Sequence, residues 1–213
     1  PQMFEKALNS NADYIFLDLE DAVSPNDKII ARENIIKALK EINWKEKGKT
    51  ISVRINSLDT HYMYRDVVDI VEKVGDKIDT ILIPKVDSKN DMRKVIERLD
   101  SIGSSASFNT RIWAIIDTPD GILNASEISR ASSRVEGFVM GTNDLQKELN
   151  TRYVSNREPL ITSLSLCVLA AKSAGIICVD GVYNAFKGFI SLIKPLLSFI
   201  NYLINQLTNY LIN

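Results

Sequence analysis

Six short apolar runs alternate with longer segments of helical periodicity, and this alternation constrains the fold more than any other feature of the sequence. A strand followed by a helix, repeated along a chain, is typical of βα units around a parallel sheet. The sequence therefore predicts an α/β fold. The predicted strands span residues 13–18, 51–56, 80–84, 111–117, 137–141 and 176–180.

Each predicted strand ends in polar residues. Because the carboxyl ends of parallel strands share one edge of a sheet, these side chains are expected to lie together. A (β/α)₈ barrel and an open doubly wound sheet both place their sites at that edge, so the rhythm alone does not choose between them. The chain of 213 residues is shorter than the roughly 250 of a typical barrel. The strand-end residues are Asp18, Glu20, Asp21, Arg54, Asn56, Lys85, Asp117, Asn143, Asp144 and Asp180.

Scarce residues exclude several classes of protein. The single histidine, His61, rules out a zinc site built from several histidines, and a serine or cysteine triad would have to use that one imidazole. Cys167 and Cys178 form no CxxC pair and are predicted to be buried thiols in a reducing compartment. The 26 basic and 27 acidic residues nearly cancel, so the overall charge favours neither nucleic acid nor a membrane as a partner.

The helical segments carry start, face and stop signals. Ser24 and Pro25 are predicted to open one helix, and a capping box is predicted over 124–127. Gly175 is predicted to end the helix over 164–174 in a left-handed conformation. Two helices have predicted apolar stripes, formed by Ile29, Ile30, Ile36 and Leu39 on the first and by Val95, Ile96 and Leu99 on the second.

The two ends of the chain differ from its middle. The first residues show no basic-then-apolar leader, so we expect a cytoplasmic protein without a secretory signal. Acidic residues vanish from about residue 186, and apolar residues then recur at helical spacing. We therefore divide the chain into a domain over 1–187 and an amphipathic helical tail over 188–213. The tail has three open roles, namely packing, an oligomer contact and membrane association, of which Pro195 and the recurrent asparagines disfavour a membrane span.

Six segments match one family in both order and spacing. They are ADYIFLDLEDAV (12–23), DKIIAR (27–32), SVRIN (52–56), IPKV (83–86), IIDTPDGILNASEI (115–128) and GFVMGTNDL (137–145). Together they resemble the citrate lyase β-subunit and malyl-CoA lyase branch of the HpcH/HpaI aldolase family, over roughly 1–187. The segment HYMYRDVVDIVE (61–72) is closer to the malyl-CoA and β-methylmalyl-CoA lyases.

The resemblance implies a (β/α)₈ TIM barrel and a carbon–carbon lyase. The family's first and eighth strands are not recognisable, so we expect 1–187 to form an incomplete barrel. The implied reaction is a Mg²⁺-dependent retro-Claisen or retro-aldol cleavage of a 3-hydroxyacyl-CoA ester such as malyl-CoA or β-methylmalyl-CoA. Its products would be a 2-oxo acid and an acyl-CoA.

The resemblance assigns the metal, Mg²⁺ or alternatively Mn²⁺, to Asp117 and Asp144. Asp117 would also contact the substrate. The family usually has glutamate at that position, and losing one methylene withdraws the carboxylate by roughly 1.5 Å, so a bridging water or a weaker site is expected. A helix-capping role is the alternative for each aspartate.

Arg54 is predicted to bind the substrate. It lies between Val53 and Ile55 in a predicted central strand, where an unpaired guanidinium would be costly, so it needs an anion. The resemblance makes that anion the substrate carboxylate, whereas the alternative is a structural salt bridge to Glu20 or Asp21. Those two acids are implied to lie beside the metal, and catalytic participation and a purely structural role both stay open.

Three further residues have open roles. Lys28 and Arg32 follow the first strand at helical spacing, where they are expected either to bind the phosphates of coenzyme A or to form a solvated helix face. Lys85 is a candidate for substrate binding at a strand end, although a metal-dependent family disfavours a Schiff base. His61 is expected to be a surface residue.

The family also implies partners. In the lyase branch a catalytic aspartate comes from a C-terminal extension of a neighbouring subunit, so we expect a homo-oligomer, with no nucleic-acid or membrane partner. No aspartate follows Asp180 in this chain, which places turnover in question. The alternatives are a citryl-CoA or citryl-ACP lyase β-subunit-like protein, a catalytically silent barrel fragment that binds metal and 2-oxo acid, and a non-catalytic subunit that docks through its tail.

Overall fold

All six predicted strands form, and they lie side by side in one parallel sheet. The computed structural model describes residues 2–184 of the chain. Short β-branched runs bounded by turn residues account for the strand positions. The strands are β1 (Tyr14–Asp18), β2 (Thr50–Arg54), β3 (Thr80–Ile83), β4 (Arg111–Ile116), β5 (Val135–Met140) and β6 (Ile177–Val179).

Nine α-helices occur between residues 2 and 184, and most of them connect consecutive strands. They are α1 (Gln2–Leu8), α2 (Lys28–Glu41), α3 (Met63–Val74), α4 (Lys89–Ile102), α5 (Ser105–Asn109), α6 (Pro119–Leu123), α7 (Ala125–Ile128), α8 (Thr142–Glu148) and α9 (Ile161–Ala174). Short 3₁₀ turns span Pro25–Asp27, Lys45–Lys47, Gly75–Lys77 and Glu158–Leu160. None of the helices in this part of the chain combines the length and apolar character needed to cross a bilayer.

The strand order resolves the ambiguity left by the sequence. Each strand pairs with the one before it, giving the order β1-β2-β3-β4-β5-β6, whereas a doubly wound sheet reverses its order at a switch point. The described residues therefore form a parallel half-barrel wall. Loss of the family's first and eighth strands stays a prediction, and the predicted tail over 188–213 lies outside the described residues.

Successive side chains alternate between the two faces of the sheet. One face, which we call the helix face, packs against the helices and forms the main hydrophobic core; its strand residues include Ile15, Val53, Ile81, Ala114 and Phe138. The other, which we call the open face, carries a smaller apolar cluster of Leu82, Trp113 and Ile115, packed with Tyr14 and Val139. The alternation therefore puts the residue after each core position on the open face.

An aromatic floor covers the middle of the open face. The rings of Tyr14 and Trp113 stack with their centroids 4.7 Å apart and an interplanar angle of 18°. Gly137 on β5 makes room for the indole, since a Cβ at that position would lie 2.7 Å from two ring atoms. The charged strand-end residues lie beyond this floor, at the carboxyl edge of the sheet.

Burial on α2 differs from the predicted apolar stripe. Ile36 and Leu39 are buried as predicted, but Ile29 and Ile30 are 63% and 57% exposed. The prediction was wrong for these two because Lys28 occupies the buried face of the first turn. Ile29 and Ile30, one and two positions later, therefore point toward solvent. The solvated face expected for Lys28 and its neighbour one turn on, Arg32, is also wrong, since both side chains are buried.

Other local predictions have mixed outcomes. Gly175 ends α9 with a φ of 73°, which confirms the left-handed cap. The capping box over 124–127 does not form, because Asn124 donates to the backbone carbonyl of Asp87 and Glu127 pairs with Lys89 instead. The Val95, Ile96 and Leu99 stripe is confirmed, with two residues buried and Ile96 partly buried; Cys167 is buried, whereas Cys178 is only partly so.

Paired substitutions on α2 test this burial pattern. Ile35 is 3% exposed, so Ile35→Ala should lower the free energy of unfolding by about 2–5 kcal/mol. Ile29→Ala, in the same helix, should change it by no more than about 0.5 kcal/mol. Urea unfolding of both variants measures the difference, and equal losses would show that Ile29 is covered.

Candidate active site

Strand alternation gathers charged side chains at the carboxyl edge of the open face. Asp18 ends β1, Arg54 ends β2 directly beside it in register, and Asp117 follows β4. A cavity of ≈ 580 Å³ opens between this edge and α8. Its walls include Arg54, Asp21, Asp117, Asp144 and Lys147, with Tyr14 among the apolar residues below them.

Arg54 is fixed by two carboxylates. Its Nε and Nη2 donate to the two oxygens of Asp18 at 2.7 and 2.6 Å, and its Nη1 lies 3.0 Å from Glu20 Oε2. Burial alone would raise the pKa of Asp18, but the hydrogen bonds and charge of Arg54 hold it below its ordinary value. For Arg54 burial acts to lower the pKa, and the bonds to Asp18 outweigh it and raise the pKa.

Glu20 links Arg54 to the turn after β2. Its side chain is 7% exposed, and its Oε1 accepts a hydrogen bond of 2.9 Å from Ser57 Oγ. Burial raises the pKa of Glu20, and the charge of Arg54 offsets this only in part. The predicted alternative, a salt bridge between Arg54 and Glu20, is therefore present. Asp21 is exposed on the cavity wall and forms no ion pair with Arg54.

Among the acidic side chains of the described residues, Asp117 has the most strongly raised pKa. It is 3% exposed, and its Oδ1 has no hydrogen-bond partner among the described residues. Burial, followed by the charges of Asp144 and Glu20, raises its pKa to about 7. Gly141 permits this packing, because a Cβ there would collide with the Cβ of Asp117. The site thus buries a carboxyl group without giving one of its oxygens a donor.

Asp144 lies in the first turn of α8, on the cavity wall, where Lys147 Nζ donates to its Oδ1 at 2.7 Å. Between residues 2 and 184, no three His, Cys, Asp or Glu side chains are grouped to hold a metal. Mg²⁺, however, usually takes one or two protein carboxylates and keeps several waters. The orphan oxygen of Asp117 and the nearby charge of Asp144 fit that kind of donor set.

The net charge around the cavity also fits a divalent cation. Six carboxylates face four cationic side chains, and six minus four leaves two negative charges when all are ionised. One Mg²⁺ ion would neutralise them. The acids are Asp18, Glu20, Asp21, Asp117, Asp144 and Asp180, and the cations are Arg54, Lys85, Lys147 and Arg157.

Lys85 stands at the site edge in a strained conformation. It follows β3 with a φ of 52°, in the left-handed region that a side chain rarely adopts. Its side chain is half exposed, and its Nζ lies 3.7 Å from Glu20 Oε1. Its predicted contact with substrate stays a prediction, supported by this position.

Lys28 does not reach the cavity. Its buried ammonium donates to the backbone carbonyls of Leu19 and Glu20 at 2.7 and 2.6 Å. Arg32 is equally buried and bonds to Asp66. The positions of Lys28 and Arg32 do not support the predicted contact with coenzyme A phosphates, because both cations are already hydrogen-bonded to buried oxygens of the protein.

The remaining predicted residues lie in varied places. His61 is exposed and packs on Tyr62, as expected of a surface residue. Asp180 is held by a two-point contact with Arg157 at 2.6 Å, and Asn143 is hydrogen-bonded to Asn184. The sequence placed Asp18 at the strand edge without a partner and gave no role to Ser57 or Lys147. The pairing of Asp18 with Arg54 depends on the register between β1 and β2, which only the structure shows.

Parallel strands in sequential order, with charged groups at their carboxyl edge, define the wall and mouth of a (β/α)-barrel protein. The segment motifs narrow this class. The chain belongs to the HpcH/HpaI aldolase/citrate lyase family, whose model matches residues 1–195.

Two curated relatives carry malyl-CoA in their names. A (3S)-malyl-CoA thioesterase of Cereibacter sphaeroides is 45% identical over 184 residues, covering 86% of this chain and 59% of the relative. An L-malyl-CoA/β-methylmalyl-CoA lyase of the same species is 36% identical over 210 residues, covering 88% of this chain and 64% of the relative. These relatives fit the predicted malyl-CoA branch of the family, and the chain spans about three-fifths of their length.

A solved structure supports the fold independently. Malate synthase of Haloferax volcanii, described as a magnesium and glyoxylate complex, superposes with a TM-score of 0.74 at 19% identity. The match covers 86% of this chain and 59% of that protein. At this level of identity the likeness shows a shared fold.

The raised pKa of Asp117 predicts a pH-dependent stability in the absence of divalent metal. With a pKa of about 7 folded and an ordinary value of 3.8, the folded protein holds an extra proton between these two values. The free energy of unfolding should therefore fall as pH rises through that window, by at most about 1.4 kcal/mol per pH unit. Asp117→Asn should remove this contribution.

Urea unfolding in EDTA, from about pH 4 to about pH 8, measures the slope for both proteins. The difference between wild type and variant isolates Asp117 from the other acids. Parallel pH profiles would contradict the assignment.

Proposed function

We propose that the chain carries the metal- and substrate-binding wall of a carbon–carbon lyase for a 3-hydroxyacyl-CoA ester such as malyl-CoA or β-methylmalyl-CoA. The observation that carries the proposal is the buried, partly unsatisfied carboxyl group of Asp117 beside Arg54 and Asp144 on one cavity. The names of the relatives at 36 to 45% identity support the ester as substrate class.

Arg54 binds the carboxylate of the hydroxy acid. A guanidinium has five N–H donors, and three are engaged with Asp18 and Glu20 in the described structure, which leaves two. Two N–H groups suffice for a paired contact with a substrate carboxylate. Because Arg54 is already held at two edges, it presents these donors without first losing side-chain freedom.

Asp117 and Asp144 hold Mg²⁺, or Mn²⁺ in its place. When bound, the metal supplies Lewis-acid stabilisation of negative charge on the oxygens of the hydroxy acid. The orphan Oδ1 of Asp117 provides one donor, and Asp144 provides the second once Lys147 releases it. The magnesium and glyoxylate complex of the Haloferax volcanii malate synthase supports a divalent metal in this fold.

Cleavage needs one proton removed and one delivered. The hydroxyl loses its proton as the adjacent carbon–carbon bond breaks, and the electron pair passes to the thioester enolate, whose carbon then takes up a proton. Asp21 is exposed on the cavity wall, whereas Glu20 is occupied by Ser57 and Arg54. We therefore assign proton transfer to Asp21 and the holding of Arg54 to Glu20.

The thioesterase relative favours a second candidate. At 45% identity, its name describes hydrolysis of the thioester of malyl-CoA rather than cleavage of the carbon chain. The same Arg54 and metal site would bind the malyl group in both reactions. A citryl-type lyase, a silent fragment, the homo-oligomer and the cytoplasmic location stay predictions.

Product analysis separates these candidates. Incubation with malyl-CoA and Mg²⁺ should release glyoxylate, trapped as a hydrazone, together with acetyl-CoA. Free thiol released together with malate would instead identify the thioesterase. Arg54→Lys should lower kcat/KM by about 100-fold, because a point charge replaces a paired planar contact. An assay without either product would leave the binding fragment as the function.

Metal binding is tested by thermal unfolding. Saturating Mg²⁺ should raise the Tm by roughly 5 °C. Asp117→Asn and Asp144→Asn should abolish the rise, because each removes a ligand charge. Asp180→Asn is the matched control, since Asp180 lines the same cavity but pairs with Arg157, and it should keep the rise. A metal-insensitive wild type would contradict the site.

A further inference from the structure

Two buried cations lie one turn apart on α2. Lys28 and Arg32 are 7% and 6% exposed, although neither residue type is commonly buried. Lys28 holds the backbone carbonyls of Leu19 and Glu20, directly after β1. Lys28 therefore binds α2 to the loop after β1, and Arg32, four residues later on the same face of the helix, is a second buried charge.

Arg32 is paired with Asp66 of α3, which is 0% exposed. Arg32 Nε donates to Asp66 Oδ1 at 2.9 Å, and Arg32 Nη2 lies 2.8 Å from the same oxygen. The other oxygen, Oδ2, accepts from the backbone N–H and the side-chain amide of Asn56 at 2.9 and 2.6 Å. Asp66 thus ties α2 and α3 to the turn after β2.

That turn leads directly to the proposed active site. Ser57, next to Asn56, donates to Glu20 Oε1 at 2.9 Å, and Glu20 Oε2 contacts Arg54 Nη1 at 3.0 Å. Glu20 is consequently fixed at both ends, at its carbonyl by Lys28 and at its carboxylate by Ser57. Polar contacts therefore run from Asp66 to Asn56 and, across the peptide bond to Ser57, through Glu20 to the guanidinium.

We propose that Lys28, Arg32 and Asp66, which we call the α2 clamp, act as positioning residues that set the orientation of Arg54 through Asn56, Ser57 and Glu20. The inference rests on the proposed function, in which Arg54 binds the substrate carboxylate. Apolar residues of similar size often stabilise a fold at least as well as a buried ion pair. The contacts to Glu20 and its turn give the clamp a function that apolar packing would not supply.

Three variants test the α2 clamp. Asp66→Asn removes the charge and half of the acceptor capacity that serves Arg32 and Asn56. Ser57→Ala breaks only the contact to Glu20 and removes no buried charge, so it keeps the test valid if Asp66→Asn does not fold. Asp69→Asn is the matched control, because Asp69 also pairs with Arg32, at 3.4 Å, but has no contact with Asn56.

The first readout does not depend on activity. In a ¹⁵N-labelled protein, the Nε–H signal of Arg54 is assigned by its absence in Arg54→Lys, and its exchange with solvent reports how firmly the guanidinium is held. Exchange should become about threefold faster or more in Asp66→Asn and Ser57→Ala, and should stay unchanged in Asp69→Asn. Unchanged exchange in the first two variants would overturn the proposal.

The second readout is kinetic. Asp66→Asn and Ser57→Ala should raise KM for malyl-CoA by about tenfold, with a smaller change in kcat. The assay is run at a temperature well below the Tm of each variant. A variant that only lowers the Tm and keeps the wild-type KM would overturn the positioning role. If the wild type turns over no ester, the proposed function fails on that result, while the Arg54 signal still decides the α2 clamp.

Discussion

The structure of the site depends on neutralising one positive charge inside a sheet. Arg54 ends β2, and its side chain is only 17% exposed, so its guanidinium has little access to bulk water. Asp18 on the neighbouring strand supplies a paired contact in register, and Glu20 adds a third. The other acids of the site, the turn after β2 and the buried face of α2 all lie around the ion pair of Arg54 and Asp18.

Two aspartates at the same edge show how environment divides one residue type between two tasks. Asp18 faces a guanidinium, so its pKa falls and it stays ionised as a fixed anchor. Asp117 is buried beside other acids and lacks a donor for one oxygen among the described residues, so its pKa rises to about 7. The protein satisfies both oxygens of the first carboxylate, whereas one oxygen of the second has no donor among the described residues, which is the basis of its proposed role as a metal ligand.

The sequence predicted the strands and the edge that gathers the polar residues, because strand periodicity and turn residues are local signals. Sequential strand order needed coordinates, since both candidate folds share the same rhythm. Lys28 and Arg32 were misjudged because a long cationic side chain has the same sequence signature whether it reaches solvent or an internal carbonyl. The partner role of Asp18 required the register between β1 and β2, which spacing along the chain does not contain.

Gly137 has a consequence for the shape of the cavity floor. The indole of Trp113 packs against β5 only because position 137 has no side chain. Any larger residue there would collide with the indole and disturb its stack on Tyr14, whose ring lines the cavity. The floor of the cavity thus depends on the missing side chain of a residue that does not itself line the cavity.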